Sequence, residues 1–528
     1  MSIQPTSGAF SFLMKENIVA KPGYNRWLVP PASIAIHMCI GSVYAWSVFN
    51  PALTRELGVV AAAADDWSLS SVVWIFSVAI VFLGIAAAFG GKWLEKVGPR
   101  CVGVVAASLW GGGFVVGSIG ITTHQLWLVY LGYGALGGCG LGLGYVSPVS
   151  TLIRWFPDRR GMATGMAIMG FGGGAMIGAP LKQWLLGMYA KAPEYLGAEE
   201  TLNLITEGGR RFAETAQGQI EIIVATATQA AAIPGGGDAG VYVVGTGSTG
   251  AAATFLTLGI GYFCVMIVAA FQYRVPAEGW KPEGWKPAPA KGGMVTTDNV
   301  HIDQAFKTRQ FWLLWIVLCF NVTAGIGVIG VAKTMINEIF GDLVIVTAAF
   351  AGTYVLMISV FNMTGRFFWA SMSDFIGRKN TYHCFFILGI ILYMSIPYFA
   401  SSGGTTALIG FYIATMIIFT MYGGGFATIP AYLADMFGTL HVGGIHGRLL
   451  TAWSTAGVLG PFAITYLRNI SKNNAIEDLV SKVDPADFVE KFGAPVSELS
   501  DLVAAKSVTI AQLMDIVPAG TIDPTSSL

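Results

Sequence analysis

Residues 90–100 read GGKWLEKVGPR, and residues 371–379 read SMSDFIGRK. Laid over one another, they place Glu95 on Asp374, Gly98 on Gly377 and Arg100 on Lys379, at an offset of 279 residues. A second pair lies further along. GLGYVSPV carries Pro148 and GGGFATIPA carries Pro430, at an offset of 282. A nearly constant offset marks two halves of similar design. One carboxylate, a glycine and the cations after it suit a short turn between two helices. There the acid accepts charge-assisted hydrogen bonds or faces a neighbouring helix N-terminus. Glu95, Arg100, Asp374, Arg378 and Lys379 therefore read as a conformational latch; the plainer reading is topology-setting charge alone.

Both turns follow long apolar runs. Of 528 residues, 54% are hydrophobic and 11% charged, against about 25% charged in a soluble domain. Lipid is the simplest solvent for such a chain. Its 68 glycines suit close helix approach. A bilayer core of about 30 Å needs about 20 apolar helical residues. Runs of that kind lie near 27–49, 70–91, 101–121, 125–149, 161–186, 251–273, 311–332, 346–370, 380–400, 406–429 and 447–467. Basic residues gather in alternate loops. They include Lys92, Lys96 and Arg100, then Arg154, then Arg274 to Arg309, then Arg378 and Lys379. The positive-inside rule makes that side, with the N-terminus, the cytoplasmic face of an inner membrane.

The domain reading is a cytoplasmic N-terminal segment (1–26), an N-terminal helical bundle (27–274), a cytoplasmic linker (275–310), a C-terminal bundle (311–467) and a polar extracytoplasmic tail (468–528). The first bundle carries a long outside loop at 187–250, read as partly helical over 199–232. The linker holds the near repeat GWKPEGWKPAPAKGG, an extended tether by its Pro and Gly. Zero net charge implies no nucleic-acid partner. The six cysteines show no metal spacing. No cofactor or metal is expected, and the absence of HExxH or an activated serine motif argues against an enzyme. The glycine runs at 134–144, 170–178 and 423–425 have no Walker lysine and read as close helix packing. Pro148, Pro180, Pro430 and Pro461 read as kinks or helix ends.

The two turns resemble the signature of the major facilitator superfamily. FNMTGRFFWASMSDFIGRK (361–379), YGGGFATIPAYLADMFG (422–438) and GSVYAWSVFNP (41–51) resemble its oxalate/formate antiporter family. The resemblance covers most of 27–467 and implies an all-α integral membrane fold of two pseudo-symmetric six-helix bundles. Eleven spans are found where the fold has twelve. Either the chain stops before the twelfth, or a small single-span peptide supplies it.

Polar groups inside a membrane are functional candidates. Arg366 precedes Asp374 by eight residues, so it lies roughly 12 Å deeper in the membrane. In the family it resembles, an arginine there engages substrate carboxylate; the plainer role is capping helix ends or pairing with a protein acid. Asn362 shares its helix face and could bond a substrate oxygen or a neighbouring helix. Relatives that exchange oxalate pair the arginine with a lysine in helix eleven, where TAWSTAG (451–457) has Trp453. With Arg366 read as the one cation at central depth, a dianion would leave a buried charge unpaired. The resemblance thus implies a small monocarboxylate, such as lactate, pyruvate or formate, carried by proton symport or anion exchange. The alternatives are an oxalate/formate antiporter and a membrane anion sensor. Tyr44, Tyr145 and Tyr422 are pocket candidates by resemblance. His37, mid-span, is the proton-coupling candidate, or else makes an interhelical hydrogen bond.

Overall fold

A computed structural model describes residues 10–157, 160–215, 218–231, 233, 236–284, 299–438 and 441–518. Among these, ten helices are long and apolar enough to cross a membrane. The chain forms two compact units. The first comprises Met1–Val48, Val73–Leu181 and Phe255–Pro461; the second comprises Phe49–Val72, Lys182–Thr254 and Phe462–Leu528.

The first unit holds most of the long helices. They are α1 (Val29–Gly41), α2 (Leu69–Val97), α3 (Pro99–Thr122), α4 (Gly138–Trp155), α5 (Arg160–Tyr189), α6 (Ala251–Gln272), α7 (Arg309–Phe340), α8 (Ala348–Ile376), α9 (Arg378–Ser402), α10 (Gly404–Phe437) and α11 (Thr451–Val480). The repeated turn has a backbone cause. Gly98 sits at φ 89° between α2 and α3, and Gly377 at φ 86° between α8 and α9. An L side chain rarely adopts that region, so only glycine ends one helix there and starts the next without strain. Thr347 caps α8 by accepting from Phe350 N at 3.2 Å.

Three departures from the helical reading matter for the site. Beyond Gly41 the first span tightens into a 3-10 segment, Ser42–Val48, with Ala45 at φ −94°, ψ 26°. Tyr44 lies on this re-phased stretch. Before α4 the chain runs through a π-helical stretch, Tyr130–Gly137, in a sequence where three of eight residues are glycine. The eleventh span is broken. A short helix, Val442–Leu449, stops at Leu450, and α11 starts at Thr451. α11 does not join the ten membrane-length apolar helices because its second half turns polar (RNISKNNAIEDLV). Its first half still packs in the first unit, where Ser454 Oγ donates to Ile80 O at 2.9 Å. Pro148, Pro180, Pro430 and Pro461 all lie inside helices rather than at their ends.

The second unit corrects the reading of 199–232 as partly helical. Residues there form most of a five-stranded antiparallel sheet in the order β1-β5-β4-β3-β2: β1 (Tyr195–Gly197), β2 (Leu204–Glu207), β3 (Arg210–Thr215), β4 (Gly218–Ala225) and β5 (Gly240–Val243). Among the described residues there, only Glu199–Thr201 and Ala227–Ala231 are helical turns. The β-branched run QIEIIVA is the physical reason; it pairs Ile222 with Arg211 on one side and Val243 on the other.

The polar tail is folded rather than extended. Ile476, Leu479, Phe488, Phe492, Leu502 and Leu513 bury one another. Lys506 donates to the carbonyls of Ala63 (3.1 Å), Ala64 (3.3 Å) and Asp66. The Asp66 carboxylate in turn accepts from the amides of Leu57 (2.9 Å), Gly58 (3.1 Å) and Ala63 (2.8 Å). Loop 57–66 is thereby held from both ends of its charge.

Candidate substrate site

Arg366 is fully buried in α8 of the first unit. A charge at the centre of a membrane helix costs about 2.5–3.5 kcal/mol on insertion scales, so its surroundings must compensate. Nε donates to Asn362 Oδ1 at 3.0 Å, one turn earlier. Nη1 donates to Ile168 O of α5 at 3.2 Å. The guanidinium carbon lies 5.3 Å from the Phe426 ring centre and 5.8 Å from that of Phe171, a cation–π arrangement. Nη2 has no hydrogen-bond partner among the described residues, and neither has Asn362 Nδ2. The site thus holds a compensated cation with donors to spare.

The glycine runs make this approach possible. A Cβ on Gly172 would lie 2.8 Å from Arg366 Nε, so α5 can pass the guanidinium only without a side chain there. Ser359 Oγ closes the same junction by donating to Gly172 O at 2.7 Å. On α10 a Cβ at Gly423 would collide with the Asn362 carbonyl.

Aromatic rings enclose the rest. The Tyr44 and Tyr422 hydroxyls bond to each other at 2.8 Å, joining the first span to α10. Trp453 has its ring centre 4.7 Å from Phe426, 5.4 Å from Phe171, 5.5 Å from Tyr145 and 6.2 Å from Tyr44. Tyr44, Tyr145 and Tyr422 all lie within electrostatic reach of Arg366. None of the six rings is more than 2% exposed, so the centre is closed to solvent. The Tyr145 hydroxyl and Trp453 Nε1 also lack partners among the described residues.

The structure therefore brings together Arg366, Asn362, Trp453, Tyr44, Tyr145 and Tyr422. Phe171 and Phe426 complete the cage and were not read from the sequence. Phe426 was within reach of that reading, since it follows Tyr422 by four residues and shares its face. Phe171 sits inside a glycine run and carried no signal. His37 stands beside the cage, 5.2 Å from the Tyr145 ring and 6.1 Å from Phe171. Its Nδ1 faces Ala167 O, and its Nε2 faces Tyr145 O at 3.1 Å. Only the doubly protonated ring can donate to both carbonyls.

Two further cations are buried in spans besides Arg366. Lys182 of α5 is fully buried, its ammonium 4.8 Å from the Phe49 ring centre. Lys333 of α7 is 9% exposed. α7 meets the cage at Gly325, whose Cβ would lie 2.6 Å from Tyr422 Cδ2. Lys333 comes eight residues later, about 12 Å along the helix. Both lysines stood in apolar runs and were legible as intramembrane charges.

At the basic end, Glu95, Arg100 and Arg378 each bond to other protein groups. The Glu95 carbonyl accepts from Lys15 Nζ at 3.1 Å. Arg100 donates to the carbonyls of Phe12, Phe271 and Tyr273 at 2.9, 3.0 and 3.2 Å. Arg378 pairs with Asp435 at 3.3 Å and donates to Ser373 Oγ. Lys379 is exposed, and the side chain of Asp374 lies outside the described residues, as does linker 285–298. An unread link joins three elements: Asp303, in the short helix Ile302–Ala305, meets Arg448 at 2.6 Å and Lys92 at 3.5 Å. The Arg448 hydrogen bond, with Lys92 beside it, holds the Asp303 carboxyl below the usual carboxylate range.

Comparison with known proteins agrees with this architecture. The family model described as Major Facilitator Superfamily matches residues 32–192 and 212–461. The chain is 25% identical over 438 residues to the oxalate:formate antiporter of Oxalobacter formigenes, covering 83% of each. It is 22% identical over 459 residues to apicoplast pyruvate carrier 1 of Toxoplasma gondii, covering 78% of each. A shorter match, 34% over 128 residues (24% of this chain, 29% of the relative), is to monocarboxylate transporter 13 of Rattus norvegicus. In fold it is similar to a bacterial homolog of the human lysosomal transporter Spinster in an inward-facing, unoccupied conformation. That match has a TM-score of 0.54 at 13% identity and covers 94% and 95% of the two chains. With its ten membrane-length helices and a family match over most of its length, this chain belongs to the Major Facilitator Superfamily and is a multi-pass membrane transporter rather than an enzyme.

Proposed function

We propose that the protein is a secondary carrier of a small monocarboxylate, moved by alternating access across an inner membrane whose cytoplasmic face bears the basic loops. The observation that carries this reading is the pair of spare donors, Arg366 Nη2 and Asn362 Nδ2, inside an aromatic cage with Trp453 at its wall. One guanidinium matches one carboxylate in charge and geometry, and the rings take the substrate's short apolar part. Substrate binding neutralises Arg366 and lets the two halves rock about it. Glu95, Arg100, Asp374, Arg378 and Lys379 act at the basic end as the latch. His37, facing two carbonyls, carries the coupling proton if transport is symport. Relatives named for oxalate, formate, pyruvate and monocarboxylates support the substrate class.

A second reading is exchange of a dicarboxylate such as oxalate. The similarity to the oxalate:formate antiporter favours it, and Lys333 supplies a second buried cation. The distance of about two helical turns between Lys333 and the level of the cage weighs against it.

Counterflow in proteoliposomes separates the two. Vesicles loaded with lactate take up labelled lactate, oxalate outside fails to compete, and Arg366→Gln abolishes uptake. Strong competition by oxalate would transfer the assignment to the dianion reading. The same vesicles test His37→Gln, which should flatten the pH dependence of net uptake. An unchanged profile would remove His37 from proton coupling.

A further inference from the structure

His446 is a buried histidine that no part of the substrate site uses. It lies in the short helix Val442–Leu449, is 4% exposed, and its Nε2 has no hydrogen-bond partner among the described residues. It lines a cavity of about 60 Å³ together with Glu95 at the end of α2, Ser150 and Arg154 of α4, Pro430 of α10 and Gly443. A water needs roughly 10–15 Å³ of such space and two to four polar partners, so a few waters fit. The lining is graded. Arg154 is exposed, Glu95 half-buried and His446 buried, so the cavity leads inward from the basic end. On its inner side the His446 ring lies 6.2 Å from the Tyr145 ring. Tyr145 also packs against His37, and its hydroxyl is unpartnered. Two imidazoles thus flank one free phenol between the basic face and the cage.

We propose that this cavity is a proton port, in which His446 Nε2 takes a proton from cavity water and passes it toward Tyr145 and the substrate cage. The step is a plain transfer. A hydronium loses a proton to the neutral ring and becomes water, and the reverse transfer regenerates the imidazole; no electron or further reactant is involved. Glu95 raises the local proton concentration at the mouth, whereas Arg154 keeps other cations out. The remaining charges around the short helix are engaged or remote. Asp303 holds Arg448 and Lys92, and His301, 3.6 Å from Asp303, packs edge-on against His441 with ring centres 5.2 Å apart. Asp435, the only charge on α10, pairs with Arg378. On α7, Arg309 is exposed at the near end, and Lys333 and Glu338 lie at the far end. Among the described residues His446 is therefore the one imidazole with a free nitrogen in the cavity, a role the sequence did not suggest.

The port rests on the carrier reading for its use, so the test has two independent arms. The first follows hydrogen–deuterium exchange at the imidazole C2 carbon, residue by residue, by mass spectrometry of the reconstituted wild-type protein. Exchange at His446 should follow a pH titration, as a solvent-reached ring does. Absence of titration at His446 would overturn the port. The second arm compares net lactate uptake driven by an acid gradient with lactate counterflow at equal pH. His446→Gln should lower gradient-driven uptake about 100-fold, the low end of the range for loss of one proton-transfer group, and leave counterflow nearly unchanged. Full retention of gradient stimulation in His446→Gln would also overturn it. A wild-type protein that moves no monocarboxylate would sink the carrier reading but leave the exchange arm to judge the port.

Discussion

Arg366 in the first unit and Lys506 in the second are both withdrawn cations, and they are treated in opposite ways. Lys506 spends its three donors on three carbonyls of one loop, and Asp66 in that loop accepts three amides. Nothing there is left for a ligand. Arg366 is held by one side chain and one carbonyl, with Nη2 unused and Asn362 Nδ2 unused beside it. A buried donor without a partner costs roughly 1–3 kcal/mol. A chain keeps that cost at a site that something else fills, whereas a saturated cation needs no further explanation than the loop it fixes.

The sharpest way to break this contrast is to alter the fork and keep the charge. Arg366→Lys should lower carboxylate uptake by about 100-fold, because a point charge replaces a planar pair of donors. Its elution on size exclusion should match the parent protein. Uptake within a few-fold of the parent would mean that Arg366 acts by charge alone, as Lys506 does. The converse change is Lys506→Met. It strands three carbonyls and should cost about 2 kcal/mol, seen as a lower thermal midpoint and earlier proteolysis at 57–66, with transport per folded molecule unchanged. If transport falls in step with stability, the second unit is not merely a structural element.

Smaller changes refine the picture. Tyr422→Phe removes the hydroxyl pair with Tyr44 and should raise the apparent KM about fivefold, near the value of one neutral hydrogen bond. No change would place the pair outside the binding step. The least effect belongs to Asp303, which is exposed. Its carboxyl is depressed by Arg448 and Lys92. Its contribution is therefore complete above the ordinary carboxylate pKa and is lost as pH falls through the depressed value. Asp303→Asn should erase a slight loss of thermal stability as pH falls below the ordinary carboxylate range, leaving neutral-pH behaviour nearly as before.

Long apolar runs, alternating basic loops and the duplicated turn were legible from residues alone, because bilayer thickness and backbone sterics act locally. A span needs its length of apolar side chains wherever it packs, and Gly98 and Gly377 mark helix breaks because their backbone angles exclude most other residues. Arg366 and Asn362 were legible for the same reason, as polar groups out of place in lipid. Phe171 joined the cage, His446 faced a cavity, Asp303 found Arg448, and residues 195–243 became a sheet only in three dimensions. Each of these depends on which groups lie opposite, and that is fixed by helix phase, as the 3-10 turn at Tyr44 illustrates, and by close approach at Gly172. A shift of a single residue in a helix turns a side chain by about 100°, so the sequence determined which residues lie in the membrane, and packing alone decided which of them meet.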